Sequence, residues 1–298
     1  MSNPEPARLR SLLGDYAITR ALKQGEVRAL DVAFDFADVK PPHTAFKRVV
    51  RDLEFDFAEL AIVTYLMAKA HGKPLALLPA VLMGRFQHPY LVYNAERDPL
   101  SPGELAGRRV GIRSYSVTTV TWLRGILADD YGVDLDRVKW VTFEEAHVAE
   151  FRDPPTVERA PEGKDLTAML LAGELDAAIL GAVPADPRLK PLIPDPAAAA
   201  RDWQRRNGAL QINHMVVVKQ ALSQSHPRAV REAYRLLAAS KRAAGVPKPG
   251  EPDLTPFGLA ANRRNLEVAI DYVYRQRLIP RRFAVDELFD DVTRGLDE

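Results

Sequence analysis

The sequence predicts an α/β protein of two domains, one of them discontinuous. Three observations lead there. Strand-like and helix-like segments alternate almost throughout, the pattern of largely parallel sheets flanked by helices. The length, 298 residues, suits about two domains with cores of their own. Over residues 96–107 the composition shifts to charge, proline and glycine, which marks a crossing between domains.

Residues 9–13 are a short apolar strand, after which Gly14, Asp15 and Tyr16 turn the chain into a helix reaching about Gln24. Residues 27–34 read as the next strand. Phe46, Val49, Val50 and Leu53 fall at helical spacing, and residues 59–70 read as a further helix closed by His71 and Gly72. Residues 75–82 and 90–94 are apolar runs of strand length. Past the charged crossing a fresh unit begins with strand 109–112, helix 118–130 and strand 138–143. A proline-rich loop over 152–163 leads to helix 166–172 and strand 177–180. Strand 189–193 and helix 197–206 follow, then a strongly β-prone run at 212–218. Everything after about Pro227 reads as helical, with no comparable set of new strands. Those last helices are therefore expected to pack on the first domain, which gives one domain of 1–95 plus 214–298 and a continuous one of 96–213.

Hydrophobic residues at 47% and charged residues at 27% are ordinary globular usage and exclude a disordered or fibrous chain. Lys+Arg 41 against Asp+Glu 40 leaves a net charge of +1, which argues against a nucleic-acid partner. With no cysteine, disulfides, thiolate zinc sites, iron–sulfur clusters and thiol nucleophiles are excluded. No stretch approaches the roughly 18 apolar residues that span a bilayer. The start, Met1-Ser-Asn-Pro-Glu-Pro6, lacks the basic and apolar regions of a secretory signal. A cytoplasmic location without a membrane partner is the expectation. The oligomeric state stays open between monomer and homodimer.

Familiar catalytic signatures are absent: no Gly-x-Gly-x-x-Gly after a strand, no phosphate loop, no Gly-x-Ser-x-Gly elbow, no His-Glu-x-x-His. The six histidines are too scattered for a local metal motif, so no metal is expected. What remains is polar residues at strand ends, where open α/β sheets bind ligands against helix N-termini. Three segments fit. One is the first strand-to-helix turn, with Gly14, Asp15, Tyr16, Thr19 and Arg20. The second is Arg85 to His88, between two apolar strands. The third is the turn with Ser114, Tyr115, Ser116, Thr118 and Thr119, whose hydroxyls and backbone N–H groups suit a carboxylate. Each has a plainer reading. Asp15, Ser116 and Thr118 also fit as N-caps, and His88 as a satisfied core histidine. Trp122 reads as core and Arg124 as partner to a nearby carboxylate. His214, at the return crossing, is a candidate to face the site.

Taken together, the segments resemble a known family. Leu105-Ala-Gly-Arg-Arg-Val-Gly111 and Leu170-Leu-Ala-Gly-Glu-Leu-Asp-Ala177 resemble the second lobe of the type II periplasmic-binding-protein fold. More narrowly, the chain resembles the 4,5-dihydroxyphthalate decarboxylase family. The resemblance is carried by Glu59 with Tyr65, Pro79 to His88, Val110-Gly-Ile-Arg-Ser-Tyr-Ser-Val-Thr118, Trp122 to Gly125, Asp130 to Val133, Ile212 to Val217 and Phe257 to Arg264. It runs from about residue 9 to residue 290 and implies two lobes with a ligand cleft between them. It also implies a cofactor-free, non-oxidative decarboxylation of a hydroxylated aromatic carboxylate.

Such chemistry needs a base for the phenolic proton, an acid for the ring carbon and an anchor for a second carboxylate. Surroundings of the leaving carboxylate should be comparatively apolar, because strong pairing would stabilise the ground state. The resemblance makes His88 and His214 the acid–base candidates, with Asp15 or Glu59 as carboxyl partner. Arg85 and the Thr118 turn are the anchor. The chain departs from the family pattern at Ala17-Ile18, where an Asp-Arg pair is expected after Tyr16. It departs again at Gly84 and Gln87, where two arginines are expected, with Arg85 displaced by one. The departures imply a smaller or less acidic ligand, or another reaction, and weak turnover of 4,5-dihydroxyphthalate beside better binding of a monocarboxylate. The alternative from another class is a non-enzymatic solute-binding protein for a small organic acid.

Overall fold

The computed structural model describes residues 5–297; Met1–Pro4, on which the expectation about a secretory signal partly rests, lie outside the described residues. In chain order the strands are β1 (Ala7–Leu12), β2 (Val32–Phe36), β3 (Phe57–Ala61), β4 (Leu75–Gly84), β5 (Leu91–Asn94), β6 (Arg109–Ile112), β7 (Lys139–Thr142), β8 (Glu158–Arg159), β9 (Ala177–Ile179), β10 (Leu189–Pro191) and β11 (Ile212–Lys219). The helices are α1 (Ala17–Lys23), α2 (Phe46–Arg51), α3 (Ile62–Ala70), α4 (Thr118–Tyr131), α5 (Leu166–Ala172), α6 (Pro196–Asn207), α7 (Gln220–Ser225), α8 (Pro227–Ala243) and α9 (Leu259–Arg275).

The chain forms two compact units. The first takes the chain up to Arg85, Ile212–Ile270 and the segment from Ile279 onward. Its five-stranded sheet has the order β2-β1-β3-β11-β4. β1 pairs in parallel with β2 and with β3, while β11 runs antiparallel to both β3 and β4. The carboxyl ends of β1, β3 and β4 therefore lie at one edge of the sheet, together with the amino end of β11. The sheet is mixed rather than largely parallel, because the returning strand β11 enters against its neighbours.

Burial explains why these segments hold. In α8 the positions 229, 230, 233, 234, 237, 240 and 241 are buried, a stripe at i, i+3, i+4 spacing. It packs Val230, Tyr234 and Leu237 with Ile18 and Leu22 of α1 against Leu9, Phe57 and Val216 of the sheet. The Leu22 N–H donates to Ser240 Oγ at 3.0 Å, joining the two helices.

The second unit comprises Phe86–Gln211 and Asp271–Leu278. Its six-stranded sheet has the order β10-β5-β9-β6-β7-β8. α5 begins on Asp165, whose carboxylate accepts the Ala168 N–H, and ends at Gly173, whose φ of 74° is the left-handed turn that glycine adopts without strain. Trp122 meets Trp203 and Tyr272 edge to face at 5.8 and 5.5 Å. Gly125 lets Tyr272 lie against α4: a Cβ there would come within 2.1 Å of the ring.

Several expectations need correction. The passage into the second unit falls at residue 85/86, ten residues before the expected boundary, because β5 pairs with β9 and β10 in the second sheet. The expected helix 59–70 is a strand followed by a helix. Phe57 to Ala61 pair with β1 and β11 before the chain coils at Ile62. The strand expected at 27–34 begins only at Val32, because the Val27 N–H is spent on the Ala21 carbonyl in closing α1. The loop 152–163 contains β8, a two-residue edge strand against β7.

Candidate active site

The first unit gathers four groups at the shared edge of its sheet. Glu59 on β3 is 0% exposed, and a buried carboxylate is costly unless it is hydrogen-bonded. The Gly14 N–H donates to Oε2 at 2.8 Å, the Tyr16 O–H donates to Oε1 at 2.6 Å, and His214 Nδ1 lies 2.6 Å from Oε1. Glu59 is the acceptor in all three contacts, which assigns the Nδ1 proton to the imidazole and leaves Nε2 as the free lone pair. Nε2 has no hydrogen-bond partner among the described residues, and the His214 side chain is 11% exposed.

Strand pairing sets this geometry. β11 lies against β3 with Val216 opposite Glu59 and His214 opposite Ala61. His214 and Glu59 thus share a face as diagonal neighbours, within reach of long side chains. The register of β11 against β4 shifts repeatedly between Ile212 and Val216, a bulged stretch of the kind that re-aims side chains beside active sites. Phe46, at the start of α2, sets its ring edge to face with His214 at 5.1 Å.

The turn after β1 brings the other donors. Leu12 pairs with Ala58, so the chain leaves β1 directly beside Glu59. Gly14 is required there: a Cβ would meet the Tyr16 ring at 2.5 Å. Thr19 is buried and ties the turn, its Oγ1 donating to the Gly14 carbonyl at 2.6 Å and accepting from the Tyr16 N–H at 3.0 Å. Burial, reinforced by the Glu59 charge, raises the Tyr16 phenol far above its usual range and keeps it a donor.

Of the residues expected here, the structure joins Glu59, His214, Tyr16 and Thr19. Asp15 does not join them. It is half exposed and paired with Lys23 and, at 3.0 Å, with Lys40, and hydrogen bonds from those lysines lower its pKa. Nor does it cap α1, whose N-cap is Tyr16. Arg20 is exposed in the last turn of α1. Arg85 is half-buried one residue beyond β4, at the same sheet edge. Gly84 has no room for a side chain, since a Cβ would meet the Leu254 carbonyl at 2.2 Å.

The other expected residues belong to the second unit. His88 is 0% exposed in a short turn, and neither ring nitrogen has a partner among the described residues. Burial, aided by the Arg206 charge, lowers its pKa to about 4, so the ring is neutral at neutral pH. Ser116, Thr118 and Thr119 are buried where β6 hands over to α4, and Tyr115 is half-buried. Arg124 is fully buried beneath this turn, with its guanidinium 3.8 Å from the Tyr115 ring centroid. No carboxylate lies within ion-pair distance of it among the described residues; the Asp153 carboxylate acts on it only from further away. Sequence reasoning placed Gly14 in the candidate turn but without a role of its own, and it read Phe46 only as one position of a helix.

No protein-family model matches the chain. Over 208 residues it is 32% identical to the 4,5-dihydroxyphthalate decarboxylase of Pseudomonas putida, covering 65% of this chain and 80% of that protein. Over 236 residues it is 29% identical to the 4,5-dihydroxyphthalate decarboxylase of Comamonas testosteroni, covering 72% of this chain and 69% of that protein. The fold is similar to that of the periplasmic aliphatic sulphonate binding protein SsuA from Escherichia coli. That likeness has a TM-score of 0.58 at 14% identity and covers 99% of this chain and 95% of that one.

Proposed function

We propose that this chain, which belongs to the 4,5-dihydroxyphthalate decarboxylase family, is a cytoplasmic enzyme that removes carbon dioxide from a hydroxylated aromatic carboxylate without a cofactor. The observation that carries the reading is the Glu59–His214 pair, held by the Tyr16 and Gly14 donors. Glu59 fixes the imidazole tautomer and stabilises the imidazolium formed when Nε2 takes a proton. His214 Nε2 draws the phenolic proton from the substrate, and electron density moves into the ring. A proton from solvent is added at the ring carbon that carries the carboxylate, and the His214 imidazolium returns its own proton to the phenolate once carbon dioxide has left. The bond from that carbon to the carboxylate then breaks, carbon dioxide leaves, and its electron pair restores the aromatic ring. Proton transfer of this kind is worth typically 10²–10⁴-fold.

We assign the acid–base work to His214 and not to His88, which is completely buried and, among the described residues, has no partner on either ring nitrogen to fix its tautomer. Asp15 is left out because its carboxylate is engaged by two lysines. The Tyr16 and Phe46 rings beside the pair favour an aromatic substrate, and Arg85 is a cation for the carboxylate that stays. A binder without chemistry would have no use for a buried carboxylate that fixes an imidazole tautomer.

Incubation with 4,5-dihydroxyphthalate and with hydroxybenzoates, followed by carbon dioxide release and product mass, tests the reading. Release that disappears in His214→Gln supports it. A ligand bound and recovered with unchanged mass would leave only the solute-binding function.

A further inference from the structure

A second feature of the molecule lies outside the Glu59–His214 pair. Arg124, in the second turn of α4, is fully buried. Its Nη2 donates to the Tyr115 carbonyl at 2.8 Å. Among the described residues Nε and Nη1 have no hydrogen-bond partner, and neither does the buried Ser114 hydroxyl in the turn just before the helix. The Tyr115 ring lies over the guanidinium at 3.8 Å and the Trp140 ring at 5.7 Å. These rings offset part of the buried charge, but they leave the N–H groups of Nε and Nη1 without acceptors. The Asp153 carboxylate acts on this charge from a distance but fills none of its donors, and each unfilled buried donor is costly. Tyr115 and Val117 are only partly buried, so Arg124 lies beneath a turn that itself reaches solvent.

We propose that Arg124 is the cation of a carboxylate subsite in the second unit, built with the Ser114 hydroxyl and the turn into α4. The acceptors that Nε and Nη1 lack are then the ligand's. A carboxylate suits the place because its two oxygens accept several hydrogen bonds and bind most strongly to a charged donor. The first turn of α4 adds the favourable end of the helix dipole. The inference rests on the reading that the protein takes an aromatic carboxylic acid, and it names a group of the second unit that can hold a carboxylate.

Calorimetric titration with benzoate, phthalate and neutral benzamide tests it, together with ¹⁵N spectra of the arginine Nε–H groups of the unmodified protein. The expected result is that both acids bind and shift the Arg124 resonance. Arg124→Met then weakens both acids roughly 10- to 100-fold and Ser114→Ala roughly 2- to 10-fold, with benzamide unaffected. Acid binding that leaves the Arg124 resonance unmoved, or that Arg124→Met and Ser114→Ala do not weaken, overturns the subsite alone. An unmodified protein that binds neither acid overturns the aromatic-acid reading, and the subsite with it.

Discussion

Glu59 and His214 are 155 positions apart in the chain, yet they meet across one strand pairing with Oε1 and Nδ1 2.6 Å apart. The carboxylate is inaccessible to solvent and the imidazole nearly so, so the pair is shielded from competing water on the Glu59 side. An imidazole held in this way has one tautomer and one free nitrogen, which is what a general base requires.

Glu59→Gln is expected to lower the rate of carbon dioxide release by roughly 10²–10⁴-fold. The amide can present its N–H₂ to Nδ1 and so reverse the tautomer, placing the proton on Nε2 where the lone pair was needed. Steady-state kinetics on a substrate that the unmodified protein turns over will show it. An unchanged kcat would remove Glu59 from the mechanism.

Tyr16→Phe removes a 2.6 Å hydrogen bond to a buried carboxylate. Hydrogen bonds to charged groups contribute about 1.5–3 kcal/mol, and a loss of that size is expected in urea unfolding. Without that donor the Glu59 position is looser, and kcat should fall along with stability.

Gly14→Ala should act on the same contact from the other side. The added methyl meets the Tyr16 ring at 2.5 Å, so the ring has to swing out and withdraw its hydroxyl from Glu59. Activity close to that of Tyr16→Phe is the expected outcome. A double variant no worse than either single one would place both changes on one contact.

His88 predicts a pH dependence of stability. Its folded pKa is about 4 against an ordinary value of 6.5. Between those values the unfolded chain binds the proton and the folded chain does not. Stability is therefore full above about pH 6.5 and falls as the pH drops towards 4, by on the order of 3 kcal/mol. Unfolding of the unmodified protein and of His88→Leu at pH 7 and pH 4.5 will test this. The variant should lose much less on acidification.

Restoring an arginine at position 84 should fail. Even Gly84→Ala sets a methyl 2.2 Å from the Leu254 carbonyl, and overpacking of this kind costs typically 1–3 kcal/mol. A lower urea midpoint for Gly84→Ala is expected, and an unchanged one would show that the segment around Leu254 can move aside.

The alternation of strands and helices made the α/β class legible, and the glycine and tyrosine after the first apolar run marked its first strand-to-helix turn. The β3–α3 boundary was not legible. Residues 57 to 68 are all buried, and a continuous apolar run carries no period to separate strand from helix. Glu59 therefore read as helical, and its partner could not be chosen over Asp15 without the register of β11. Arg124 escaped for the opposite reason: arginine is rarely buried without a partner, so a helical arginine reads as a surface or ion-paired residue.

The strand that carries His214 is made late and placed centrally. β11 enters between β3 and β4, which are synthesised about 130–150 residues earlier and have no pairing to each other in the finished sheet. Until residue 219 has left the ribosome, both present bare edges open to a wrong neighbour. The nascent first unit thus waits, unfinished, while most of the second is made. A chain cut short before residue 212 has no acid–base pair at all, so the pair is also a certificate that synthesis went past His214.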